Sequence, residues 1–291
     1  MYYTAMFSLD QSAIEARLRT SLLGRPLICL ASVESTQTIA REAARQGAAE
    51  GLAVVAGQQT AGKGRAGRSW WSPPSGGLYL SLLLRPHLPG ELIPWTVMAL
   101  ALGAAEAIEQ LCGLAVEIKW PNDLLVQGRK LAGVLAEGAF TGSRLDYVIV
   151  GIGLNVATDF SGQPELADTA ISLEAALGRA VDPASLLAAL LARSEQHYLA
   201  MQAGVSPLTA WQARLETLGR PVTVHLADGR HLHGVARAVL PDGALRIDLE
   251  GGGSQEVRAN DVSLRHRAPE PPPTTAAAAL PEGADRVWKA G

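Results

Sequence analysis

Cysteine, positive charge and bilayer-length apolar runs are all scarce in this chain, and each shortage excludes a class of protein. Only two cysteines, Cys29 and Cys112, occur in 291 residues. They are flanked by apolar residues and read as buried thiols in a reducing cytoplasm rather than a disulfide framework or a metal centre. The formal charge is −3, so bulk electrostatics does not draw the molecule to nucleic acid. Any polyanion site must be a local gathering of Lys and Arg. The N-terminus, MYYTAMFSLDQ, lacks a basic stretch leading into an apolar run and is not a signal peptide. The longest apolar run, around Leu92–Ala105, is too short to span a bilayer and continues into Glu106 and Glu109. The expectation is a soluble cytoplasmic protein with no membrane partner.

With 48% apolar residues, the chain can fill a sizeable core, as one large domain or a large one with a small companion. Ser35–Gly47 has helical spacing, with Ser35 or Thr36 as N-cap. Leu52–Ala56 and Leu78–Leu84 read as buried strands, and Ile93–Leu111 as a helix ending at Gly113. Strands are expected at Ala115–Lys119, Asp123–Val126, Lys130–Gly138 and Asp146–Asn155, the middle pair joined as a hairpin through Gly128. Helices follow at Pro183–Gln202, capped by Asp182, and Pro207–Leu218. Beyond Gly219, short alternating runs broken by ADG, PDG and GGG predict a small antiparallel barrel. The expected division is residues 1–218, 219–267, and a disordered Pro/Ala-rich tail over 268–291.

The stretch GQQTAGKGRAGRSW, Gly57–Trp70, matches a Walker A loop except at its last position, where Gly64 replaces the Mg²⁺-binding hydroxyl. A P-loop also needs a helix directly after the lysine, and the prolines and glycines of GRAGRSWWSPPSGG forbid one. Three readings remain at this point. Lys63, Arg65 and Arg68 beside Trp70 and Trp71 suit single-stranded nucleic acid, although no second basic cluster extends the patch. A solvated surface loop with idle arginines is the bland reading. The third is a glycine-rich loop closing over a phosphate ester, with glycine backbone approaching the anion and arginines supplying forked donors.

Two further stretches bear on the choice: IKWPNDLLVQGRKLAGVLAEG (Ile118–Gly138) and GIGLNV (Gly151–Val156). The ordered set EST…GQQTAGKGRAGRSW…GGLYLSLLLRP…KWPNDLLV…RKLAGVLAE…GIGLNV, over roughly Glu34–Val156, resembles the biotin protein ligases. The resemblance implies an α+β fold: a class II synthetase-like mixed sheet with helices, followed by an SH3-like β-barrel. It implies a two-step reaction in which ATP and biotin give biotinyl-5′-AMP and pyrophosphate, and a carrier-protein lysine then displaces AMP. Mg²⁺ is the implied cofactor, and the biotin carboxyl carrier domain of a carboxylase the implied partner.

Carried over by position, Ser35, Thr36 and Gln59 would bind biotin's ureido ring, although Ser35 or Thr36 equally suits a helix N-cap. Gly62 and Gly133 would leave room for the fused rings. Arg65 and Arg68 would grip the activated carboxyl and phosphate, with Lys63 and Gly64 in the same nucleotide-facing loop. Trp70 would pack on adenine and Asn155 lie near adenine or ribose. Lys130, the implied catalytic residue with Arg65, would bridge the carboxyl oxygen and α-phosphate. Asn122 would shape the nucleotide region and Asp123 would bind Mg²⁺ directly or through water. Lys119 is a weaker candidate for the phosphate region or carrier-lysine entry.

Family loops commonly read G-R-G-R-R-G-R; here Lys63 stands at the first arginine and Ala66 at a later basic position. About 30 residues precede Glu34, fewer than a winged-helix module needs, so direct DNA binding is not expected. A homodimer is compatible with the sequence. Two rivals are a lipoate or octanoate ligase, whose Arg-Arg-x-x-Gly-Gly-Gly signature is absent, and a nucleic-acid-binding module. His231 and His233 lack acids or cysteines at metal-ligand spacing and read as solvent-facing strand residues.

Overall fold

The computed structural model describes residues 9–226 and 229–259 with side chains and 262–266 as strand backbone; the tail expected over 268–291 lies outside the described residues. The first half comprises α1 (Gln11–Arg17), β1 (Leu27–Leu30), α2 (Thr36–Arg45), β2 (Ala53–Ala56), β3 (Gly77–Leu84) and α3 (Pro94–Cys112). A run of strands follows: β4 (Glu117–Lys119), β5 (Asp123–Val126), β6 (Arg129–Thr141) and β7 (Arg144–Asn155). They form one seven-stranded sheet in the order β1-β2-β3-β7-β6-β5-β4, antiparallel except for β1 with β2.

Strand β3, GLYLSLLL, is buried at every position, as expected of an unbroken apolar run covered on both faces. Its Leu78, Leu80, Leu82 and Leu84 join the main core with α3, while Leu83 joins a smaller cluster beneath α2. Helix α3 ends at Gly113 with φ 68°, a left-handed C-cap. The helical stretch Gly90–Cys112 is long and apolar enough, by length and composition, to cross a membrane. The apolar run alone had suggested otherwise. Here it is a core helix, covered by α6 (Pro183–Gln202) and the sheet.

Between them lie the short helices α4 (Pro164–Ala167) and α5 (Leu173–Leu177), and α7 (Leu208–Gln212) follows α6. The helix expected over Pro207–Leu218 stops at Gln212 because the next segment pairs with the sheet edge. Ile118 N–H donates to Arg214 O at 2.8 Å, and Glu216 N–H donates to Ile118 O at 3.0 Å. This tertiary pairing wins over helix propensity and covers an open strand edge. The β5–β6 turn has Gln127 at φ 53° and Gly128 at φ 72°, the left-handed pair that a two-residue hairpin demands. Cys29 and Cys112 are half-buried rather than fully buried. Burial, then Glu15 and Asp10, push the Cys29 thiol up to about 11.

The second sheet comprises β8 (Pro221–Leu226), β9 (His231–Val239), β10 (Leu245–Leu249), β11 (Ser254–Val257) and β12 (Val262–His266). It is antiparallel in the order β11-β10-β9-β8-β12. Two tryptophans hold its β9–β10 turn against the first sheet. Trp95 Nε1 donates to Pro241 O at 2.8 Å, and Trp120 Nε1 donates to Gly243 O at 3.1 Å.

A buried carboxylate pins the chain entering β1. Glu195 on α6 accepts backbone N–H bonds from Ser21, Leu22 and Leu23 at 2.8, 2.7 and 2.7 Å. Burial pushes its pKa up, but the hydrogen bonds from Ser21, Leu23 and Leu22 together hold it below the usual carboxylate value. A depressed folded pKa means that this stabilisation is complete above the unfolded value, about 4.3, and fades as pH falls through the folded one. Glu195→Gln is therefore expected to lose about 1.5–3 kcal/mol at pH 7. Denaturant titrations should show that difference shrinking below about pH 4.

Candidate active site

A cleft of about 570 Å³ opens between the α2 face of the large sheet and the Gly57–Trp71 loop, and fourteen of the fifteen candidate residues singled out from the sequence line it; Lys119, the weaker candidate, ends β4 and is not among the lining residues. One end is made by the start of α2. Ser35 takes the extended N-cap conformation, but its side chain makes no capping bond. Instead the Ser35 hydroxyl and the Gln37 side-chain carbonyl are buried without partners. Each such atom costs about 1–3 kcal/mol if nothing pairs with it. Two at one end of a cleft mark where a polar ligand belongs. Beside them, Thr36 donates to Gln59 Oε1 from its backbone N–H at 2.8 Å and its hydroxyl at 3.1 Å. Gln37 follows the recognised EST sequence by one residue, and its place was not anticipated.

The other end is cationic. Lys130 Nζ lies 2.8 Å from Asp123 Oδ1 and 5.0 Å from the centre of the Trp70 ring. Strand alternation would put Lys130 and Gly133 on opposite faces of β6. Pairing shifts from Leu124↔Ala132 to Leu125↔Lys130, so Leu131 is an extra residue and forms a β-bulge. The bulge turns Lys130 onto the cleft face that Gly133 shares. The Asn155 amide supports the Lys130 backbone, with Nδ2 donating to Lys130 O at 3.4 Å and to Ile171 O at 3.2 Å. Arg65 donates to Asn122 Oδ1 at 3.2 Å and to the Ala259 carbonyl after β11. Asn122 is itself oriented, since its Nδ2 donates to Val134 O at 2.7 Å. Burial and the neighbouring Arg68 hold the Arg65 pKa below its ordinary value, partly offset by Asp123.

The loop is a tight hairpin rather than the start of a helix. Gly64 N–H donates to Arg68 O at 2.7 Å, and Lys63 bridges Ser69. Ala66 and Gly67 are both left-handed, at φ 52° and 71°. At Ala66 this left-handed conformation costs about 1–2 kcal/mol. Trp70 lies on a glycine floor. Gly133 and Gly153 are register partners, and a methyl group at 153 would sit 2.5 Å from Trp70 Cε2. The indole N–H of Trp70 is buried and unpaired. Opposite, Phe160 packs against Trp71 with ring centres 5.6 Å apart.

Among the described residues no group of three or more His, Cys, Asp or Glu could cage a metal ion. The site still fits Mg²⁺, which needs only one or two carboxylates when phosphate oxygens supply the rest; Asp123 and Glu165 are carboxylates lining the cleft, and Asp123 is the one beside Lys130.

Comparison with known proteins agrees with this geometry. Residues 29–155 match the model of the biotin/lipoate A/B protein ligase family, and residues 217–265 match the biotin protein ligase C-terminal domain. The bifunctional ligase/repressor BirA of Bacillus spizizenii is 34% identical over 88% of this chain and 79% of its own. The chain belongs to the biotin/lipoate A/B protein ligase family. Another relative in that family, the biotin–[acetyl-CoA-carboxylase] ligase of Mycobacterium tuberculosis, is 32% identical over 85% of this chain and 94% of its own. The biotin protein ligase of Aquifex aeolicus, solved in complex with biotin and ATP, superposes with a TM-score of 0.70 at 32% identity. That match covers 83% of this chain and 99% of the Aquifex chain. The family name spans two acids, biotin and lipoate, and the unpaired polar atoms beside α2 bear on the choice between them.

Proposed function

We propose that this cleft activates biotin with ATP to biotinyl-5′-AMP and passes the biotinyl group to a lysine of a biotin carboxyl carrier domain. The observation that carries the choice of acid is the pair of buried, unpartnered atoms, Ser35 Oγ and Gln37 Oε1. Biotin's ureido ring offers N–H donors and a carbonyl acceptor to such atoms. The dithiolane of lipoate offers neither, and would leave both unpaired in a dry pocket.

In the first step a carboxylate oxygen bonds to the α-phosphorus and the bond to the pyrophosphate oxygen breaks. Both reactants are anionic, so the chain's task is to neutralise and align them rather than to supply a nucleophile. Lys130 would stand between carboxylate and α-phosphate, exchanging its contact with Asp123 for the two anions. Arg65 and Arg68 would bind phosphate oxygens, with Lys63 and the Gly64 backbone beside them. Trp70, moving off its glycine floor, would cover adenine, and Asn155 would hold the wall behind Lys130. Asp123, with Asn122 next to it, would hold Mg²⁺, which when bound screens the phosphate charge. In the second step the carrier amine bonds to the acyl carbon and AMP leaves with the electron pair.

The test is transfer. With ATP and biotin, a carrier domain should gain one biotinyl group by mass spectrometry, at its acceptor lysine, whereas a lipoyl domain should gain none. Labelling of the lipoyl domain with lipoate, and not of the carrier with biotin, would overturn the assignment. Removing Mg²⁺ with EDTA is expected to stop the reaction, and restoring Mg²⁺ to recover it.

A further inference from the structure

Ser72 closes the glycine-arginine loop, is 5% exposed, and stands at the junction of two hydrogen-bond paths. Gln59 Oε1 accepts from the Thr36 backbone N–H, a donor that cannot reverse, so the amide orientation is fixed and Nε2 points the other way. Gln59 Nε2 donates to Ser72 Oγ at 3.2 Å, and Ser72 Oγ donates to Trp70 O at 3.0 Å. The backbone repeats the link, with Gln59 N–H donating to Ser72 O at 3.2 Å. Behind Thr36, the fully buried Ser81 hydroxyl completes the path at 2.8 Å. Gly62 is threaded through this junction. A methyl group there would lie 2.5 Å from Trp70 O and 2.7 Å from Ser72 Oγ, too close for any side chain.

We propose that Ser72 is a positioning residue for acid recognition. It holds one N–H of Gln59 so that the other faces the carbonyl of the acid's ring; the Trp70 carbonyl only orients the Ser72 hydroxyl, because the Trp70 backbone is held separately, its N–H donating to Gly62 O at 2.9 Å. This rests on the reading that Gln59 meets the biotin ring. Ser72 touches neither the phosphates nor the reacting carboxylate in this arrangement, so its loss should weaken acid binding and leave the bond-making step alone.

The experiment is biotin-dependent ATP–pyrophosphate exchange by Ser72→Ala, Ser72→Cys, Gln59→Ala and the Ser72→Ala/Gln59→Ala double variant, each checked for folding by thermal unfolding. Ser72→Ala is expected to raise the biotin KM about fivefold with kcat and the ATP KM changed less than twofold. Ser72→Cys, of similar shape but a weaker hydrogen-bonding group, should fall between, and gives a second reading if the alanine variant does not fold. In the Gln59→Ala background, Ser72→Ala should add nothing further. Additive effects, or parallel rises in both KM values with a fall in kcat, would overturn the role and leave Ser72 as packing. Wild-type protein without biotin-dependent exchange would instead overturn the functional reading, and this role with it.

Discussion

Lys130→Ala should reduce biotin-dependent ATP–pyrophosphate exchange by about a thousandfold, with thermal unfolding little changed. Lys130 Nζ is the cation brought onto the cleft face by the Leu131 bulge, 2.8 Å from Asp123 and over the Trp70 ring. Its removal withdraws the charge that offsets repulsion between carboxylate and α-phosphate. It also leaves Asp123 uncompensated beside the phosphates, adding a second repulsion. Lys130→Arg should not restore activity, because a planar fork is longer than an ammonium and meets Trp70 at this site. Exchange rates at saturating ATP and biotin, with unfolding curves for each variant, provide the check. An alanine variant within tenfold of wild type would remove Lys130 from the chemistry.

Gly103→Leu should be strongly destabilising although it lies outside the site, lowering Tm by about 6–12 °C. Gly103 lies in the middle of α3, where glycine costs about 1 kcal/mol against alanine, so packing rather than propensity selects it. A methyl group there would stand 2.5 Å from both the N and Cα of Ser194 on α6, and neither backbone atom can turn aside. The overlap, about 3 kcal/mol, exceeds the propensity gain. The two helices would have to separate over the core beneath the sheet. Differential scanning calorimetry reads the shift directly, and a Tm within 2 °C of wild type would mean that the helices do not meet at this closeness.

The sequence made some of this legible for definite reasons. Strand β3 and helix α3 announce themselves through unbroken apolar runs, and α6 through Asp182 and Pro183 at its start. The site motifs were legible as strings, and the structure brings all of their singled-out residues except Lys119 to one cleft. What remained hidden depends on register and on distant partners. Alternation alone puts Lys130 and Gly133 on opposite faces, and nothing local reveals that Leu131 is an extra residue. The early end of α7 is dictated by Ile118, nearly a hundred residues away. Ser35 has the composition of an N-cap, yet its hydroxyl is left unpaired in the cleft. Gln37 and Ser72 carry no motif signal and Ser81 is not distinguished within its apolar strand, because their importance lies in hydrogen bonds made across the fold.

The central claim is that one cleft pairs a polar ring at α2 with an acyl phosphate at Lys130, and the most direct test is ATP–pyrophosphate exchange by the wild-type protein. Biotin, lipoate and octanoate would be supplied separately as the only acid. Exchange with biotin and not with the other two is the predicted result. Exchange driven equally well by lipoate or octanoate, or no exchange with any acid in folded protein, would contradict it.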